Sequence, residues 1–98
     1  MTHIKLIEAA GQLPQAWASQ CIGAVGTAKL KLICMNATAY PEECHDYAEG
    51  LLVLDGHMML SVEGQAVRVG RGEMYLVPAG VRHSVDAGSY GTLLILDE

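Results

Sequence analysis

The sequence predicts an all-β fold, on three observations. Short runs rich in Leu, Val and Ile recur along the chain between Gly, Pro and Asp turn signals. Two-residue alternation is clean from Leu60 to Val69: Leu60, Val62, Val67 and Val69 share one face, while Ser61, Glu63 and Arg68 share the other. Helix-forming material is confined to the first half of "EAAGQLPQAWASQ", where Gly11 and Pro14 limit a helix to a turn or two.

In chain order, the expected strands are "THIKLIE", "AWASQCI", "AKLKLICMNA", "AEGLLVLDG", "MMLSVEG", "QAVRVG", "EMYLVP", "RHSV" and "GTLLILDE". Glu63-Gly64 supplies a hairpin tip between two of them, and Gly70-Arg71-Gly72 the next turn. The runs "GLLVLD" and "TLLILD" are apolar at successive positions, so both faces of these strands must be covered. One face meets the core. The other is expected to meet a second copy of the chain, because so small a domain has little material to lay over an outer face.

At 98 residues the chain is expected to be a single domain, residues 1–98. Its core is aliphatic: 51% of residues are hydrophobic, none is Phe, and the aromatics are Trp17 and four Tyr. Eleven acids against six bases leave a formal charge of −5, and the Lys and Arg residues form no stripe that could follow a phosphate backbone, which argues against nucleic acid as a partner. No apolar run approaches the roughly 20 residues that span a bilayer, and the first fifteen residues lack a signal-peptide core. No membrane association and a cytoplasmic location are therefore expected. Cys21, Cys34 and Cys44 are odd in number and lack CxxC spacing, which fits reduced thiols.

Ionisable groups crowd "PEECHDYAEGLLVLDG", just ahead of an apolar run. On an extended strand Glu43, His45, Tyr47 and Glu49 share a face, with Cys44, Asp46 and Ala48 opposite. Carboxylates and an imidazole so aligned can converge on a cation that offsets the cost of burying their charges.

Two motifs make the chain resemble the cupin superfamily. The pattern G-x5-H-x-H-x3,4-E-x6-G fits from its histidine pair onward, with Glu43 at the first His position, His45 at the second, then Glu49 and Gly56. The pattern G-x5-P-x-G-x2-H-x3-N fits as Gly72, Pro78, Gly80 and His83, with Ala87 in place of the final Asn. The resemblance implies an antiparallel double-stranded β-helix, or jelly roll. Its motif-bearing core would span about residues 29–96, with N-terminal strands in 1–28 packed on the barrel or on a dimer partner. It also implies a divalent metal held by His45, Glu49 and His83, with Glu43 at the fourth ligand position. Mixed nitrogen and oxygen donors suit Fe, Mn, Ni or Zn, and relative affinity alone does not select among them.

Each of these residues has a plainer reading beside it. His45 and His83 could be hydrogen-bonded core histidines, and Glu43, beside Glu42, a solvated turn carboxylate. Tyr47 could bind substrate, support a ligand or simply pack at the barrel mouth. Cys44 has the wrong parity for the site, Arg82 could steer an acidic substrate or face solvent, and His3 and His57 read as surface residues.

Two functions follow from the resemblance. One is an enzyme acting through the metal on a small polar metabolite, with Glu43 and Tyr47 as candidate catalytic residues. The other is a non-catalytic binding or sensor barrel with a structural metal or none. Isomerase, lyase and dioxygenase chemistries are all compatible with the fold.

Overall fold

The computed structural model describes residues 3–98, so Met1 and Thr2, the latter the first residue of the first expected strand, lie outside the described residues. Among the described residues of that segment no strand forms. Its last residues, Leu6–Glu8, instead join the expected helical stretch in the helix α1 (Leu6–Gly11), which ends at Gly11 as the sequence predicts. Leu6, Ala9, Ala10 and Leu13 recur at three- and four-residue spacing and lay an apolar stripe on the outer sheet face. The Cys34 thiol approaches the Ala10 carbonyl at 3.2 Å and ties the helix to the strand beneath it. The expected N-terminal strands thus reduce to one helix and one strand.

That strand, β1 (Gln20–Val25), starts later than its apolar run, because Trp17 takes a left-handed conformation with φ of 64°. The Trp17 N–H donates to the Cys34 carbonyl at 2.9 Å. There follow β2 (Ala28–Asn36), β3 (Tyr40–Glu43), β4 (Glu49–Val62), β5 (Gln65–Gly70), β6 (Met74–Val77), β7 (His83–Val85) and β8 (Tyr90–Asp97). They form one curled antiparallel sheet in the order β1-β2-β8-β4-β7-β3, with β5 and β6 also paired to β4. This is the jelly-roll half-barrel expected from the sequence.

The 14-residue β4 merges two runs that the sequence separates, "AEGLLVLDG" and "MMLSVEG". Its first half pairs with β8 and β6, and its second half with β5 and β7. The register against β8 shifts between Val53 and Asp55, and just beyond the shift Gly56 faces Gly91. Both glycines have positive φ, 76° and 112°. A Cβ on Gly56 would overlap the Tyr90 carbonyl oxygen, and one on Gly91 the Asp55 carbonyl oxygen. His57 therefore lies within β4 rather than in a turn; it is half-buried, edge-on to Tyr90 with ring centroids 4.8 Å apart.

Two apolar faces result. Ile33, Met35, Leu51, Val53, Met58, Leu60, Val69, Val77 and Leu93 fill the interior of the curl. Leu32 and Leu94 are buried on the outside, with Leu30, Leu52, Leu54 and Leu96 around them and α1 over them. The alternation read from Leu60 to Val69 holds, since Leu60 opposes Val67 and Met58 opposes Val69 on the inner face.

The Gly56·Gly91 contact yields a direct test. Gly56→Ala should destabilise the fold by about 3 kcal/mol or more, combining backbone strain with a steric clash. Chemical denaturation measures it, and Gly64→Ala, at a positive-φ turn with open space around it, should cost less.

Candidate metal centre

Glu43 ends β3, Glu49 opens β4 and His83 opens β7. In the register of β3 with β7, Glu43 stands opposite His83. Residues 44–48 between Glu43 and Glu49 are not extended, so the four polar residues do not share a strand face as the sequence pattern suggests. The chain loops instead, and His45 returns to the same point. A turn from the second motif holds this loop: the Gly80 N–H donates to the His45 carbonyl at 2.7 Å, and Val81 N–H to Pro78 O at 3.3 Å. Gly80 has φ of 78°, which a residue with a side chain adopts at a cost.

The outcome brings one donor atom from each of Glu43, His45, Glu49 and His83 within 4.8 Å of all the others. His45 Nε2 is 3.4 Å from Glu43 Oε2 and 4.0 Å from Glu49 Oε1. His83 Nε2 is 4.0 Å from Glu43 Oε2 and 3.0 Å from Glu49 Oε1. Two donors each about 2.1 Å from one ion would be separated by about 3.0 Å at a right angle and about 4.2 Å in line. These four His–Glu separations fall in that interval, and the Glu–Glu and His–His separations stay within 4.8 Å.

The hydrogen bonding of His83 also fits a cation. Its Nδ1 lies 3.1 Å from the Val81 carbonyl oxygen, which can only accept, so Nδ1 carries the proton. A neutral ring then aims the Nε2 lone pair at Glu49 Oε1, acceptor against acceptor, in a buried place. A cation shared by the two relieves this contact, and a metal ion does so for the whole set. Burial pushes the Glu49 carboxyl above the usual carboxylate range, opposed by His45 and His83. A bound cation would favour its ionised form. Two imidazoles and two carboxylates are a donor set suited to a divalent transition metal.

Tyr47 stacks on His45, with centroids 4.9 Å apart and planes 10° apart, and so restricts rotation of that ring. Cys44 and Arg82 are exposed and do not line the cavity beside the cluster; Arg82 lies 3.9 Å from Glu42. His3 is exposed and lies elsewhere. The cavity measures about 170 Å³, and its lining adds Trp17, Lys31, Tyr40 and Asp97, which the sequence did not single out. A parity signal was available for two of them: Lys31 alternates with Ile33 and Met35, and Asp97 with Leu93 and Ile95, all on the inner face.

The Cupin domain family model matches residues 29–97. No curated protein matches the sequence. Among solved structures, a cupin-2 domain protein of Shewanella frigidimarina is 23% identical with a TM-score of 0.87, over 95% of this chain and 91% of that one. A Neisseria meningitidis protein is 21% identical with a TM-score of 0.85, over 97% of each chain. A Ralstonia eutropha protein provisionally named a mannose-6-phosphate isomerase is 23% identical with a TM-score of 0.72, over 88% of this chain and 86% of that one. At these identities the likeness establishes the fold.

Elemental analysis of protein purified without an affinity tag should find about one divalent transition ion per chain, falling at least about tenfold in His45→Ala and in His83→Ala, as for loss of a metal ligand or its support. Full retention in both variants would remove the site.

Proposed function

Because the chain belongs to the cupin domain family, we propose that it is a metal-dependent enzyme whose barrel receives a small polar metabolite, such as a sugar acid or keto acid. The observation that carries this reading is the convergence of Glu43, His45, Glu49 and His83 on one wall of a cavity with several apolar lining residues. His45, Glu49 and His83 would hold the ion, with Glu43 as a fourth donor or as a free carboxylate beside it. When bound, the ion would supply Lewis acidity to the oxygens of a chelating metabolite.

The chain's own groups divide the remaining work. Glu49 and His83 are buried and fixed by their neighbours, which suits holding. Glu43 has about a third of its side chain exposed, so it has room to move and to take a proton from a carbon or hydroxyl next to the chelating oxygens. Tyr47 keeps His45 in place through their stacked rings. Leu51, Val85, Leu93 and Ile95 along the cavity lower the local dielectric and strengthen each polar contact.

Glu43→Gln separates an enzyme from a binding or sensor barrel. Turnover of a small keto or hydroxy acid should fall about 10²-fold or more, with the metal retained and ligand affinity within about twofold. A protein that binds such acids but converts none of them, in wild type as in the variant, would be a binding module.

A homodimer belongs to the same reading. Met74 and Leu76 are 46% and 68% exposed, and Leu76 packs beside Gly50 and Leu96 on the outer face that α1 leaves partly open. An isologous aliphatic contact there would bury them. Light scattering at micromolar concentration should give twice the chain mass, reduced to the monomer mass in Leu76→Glu; a wild-type monomer would count against the contact.

A further inference from the structure

Lys31 and Asp97 occupy positions on the inner faces of β2 and β8 where neighbouring residues of the same parity are Ile33, Met35, Leu93 and Ile95. Charges in such a place need a reason, because desolvation can exceed the gain from pairing. Lys31 Nζ lies 3.1 Å from Asp97 Oδ2, which accepts its hydrogen bond, and 3.0 Å from Oδ1. Beyond this ion pair Oδ1 makes no hydrogen bond, and it is shielded from solvent, Asp97 being only 5% exposed. Buried carboxylate oxygens are rarely left so. Both residues line the cavity that holds the Glu and His cluster.

Trp17 and Tyr40 line the same cavity with apolar ring faces, their centroids 5.5 Å apart. The Trp17 indole is held by hydrogen bonds from Nε1 to Asn36 Oδ1 at 2.5 Å and to Thr38 Oγ1 at 2.8 Å. The cavity therefore combines a cluster suited to chelated oxygens, aromatic side chains suited to C–H surfaces, and a paired ammonium and carboxylate.

We infer that Lys31 and Asp97 form a second recognition subsite, which reads a hydroxyl group of the metabolite at a distance from its chelating end. The ligand O–H donates to the Asp97 carboxylate, and its oxygen accepts from Lys31 Nζ. A hydroxyl meets both groups at once; a second carboxylate on the ligand would face Asp97, and a methyl group could pair with neither charge. The ligand class is thus a small polyhydroxylated acid. The inference rests on the metal-centre reading above, and its test keeps the two apart.

The test is calorimetric titration of the metal-loaded protein with lactate, glycerate, erythronate and gluconate, which share an α-hydroxy acid end and differ in the hydroxyls beyond it. At least one polyhydroxylated acid should bind about tenfold more tightly than lactate, as expected for one hydrogen bond to a charged group. The paired substitution Lys31→Met with Asp97→Leu removes both charges together; it should abolish that gain while leaving metal content and lactate affinity unchanged. Should the double variant fail to fold, Asp97→Asn, which keeps the side-chain shape, should lose the same gain. Equal affinity for all four acids, no binding of any, or a gain that survives the substitutions would overturn the subsite with the metal centre intact. Failure of the wild type to take up metal would overturn the metal-centre reading and the subsite with it.

Discussion

The structure depends on the close approach of β4 to β8 where Gly56 faces Gly91. Two backbones meet there with no room for a Cβ on either side, and the register break beside it lets one 14-residue strand serve two parts of the curl. On one edge β4 pairs with β8 through the break as far as His57 and then with β7; on the other it pairs first with β6 and then with β5. Without this bend, Glu49 at one end of β4 and the buried Met58 and Leu60 near the other could not belong to a single closed interior. The glycine that closes the first motif is therefore a backbone requirement of the fold, while the polar residues of the same motif are free to carry chemistry.

Polar groups in the interior follow one electrostatic logic. Glu49 and His83 are buried, and the proton on His83 Nδ1 is committed to the Val81 carbonyl, which leaves Nε2 facing a carboxylate. Buried charge in this position is costly unless a partner of opposite sign is present, and the other carboxylate and imidazole of the cluster surround the same point. Lys31 and Asp97 repeat the pattern within the same cavity, each offsetting the other's burial. Hydrogen bonding to Asp97 holds the Lys31 ammonium above its ordinary range. The favourable contribution of this contact is thus complete below the ordinary lysine range and disappears as pH rises through the higher folded value.

The outer face shows how a small domain covers an apolar sheet. Leu32 and Leu94 are sealed by α1, whose apolar stripe joins the end of the expected strand "THIKLIE" to the helix-forming "EAAG" that follows it. "THIKLIE" carries β-type residues, yet Leu6, Ala9, Ala10 and Leu13 fall on one helical stripe and the sheet beneath offers them a surface. Packing and the helix propensity of Leu6, Glu8, Ala9 and Ala10 act together here, and extend the expected helix back into the expected strand. Met74 and Leu76 lie beyond the helix and keep an apolar edge in solvent.

Much of this was legible in the sequence because strands carry a period of two and turns carry Gly, Pro and Asp. The all-β class, the Glu63-Gly64 hairpin, the doubly apolar strands and the four residues of the cluster could all be named from spacing and motif likeness. The four residues of the cluster meet, but through a loop and not on one strand face, since hydrogen bonds from distant segments such as Gly80 to His45 set that loop's path and leave no periodic trace. Lys31 and Asp97 escaped notice because a charged residue alternating with apolar ones reads as solvent-facing, and parity alone does not say which face is inside. Local spacing marks most of the strands, the tight turns and the residues of the donor set, because period and turn chemistry are written into neighbouring residues. The tertiary structure alone decided which charges face inward, because burial and pairing are set by strands far apart in the chain.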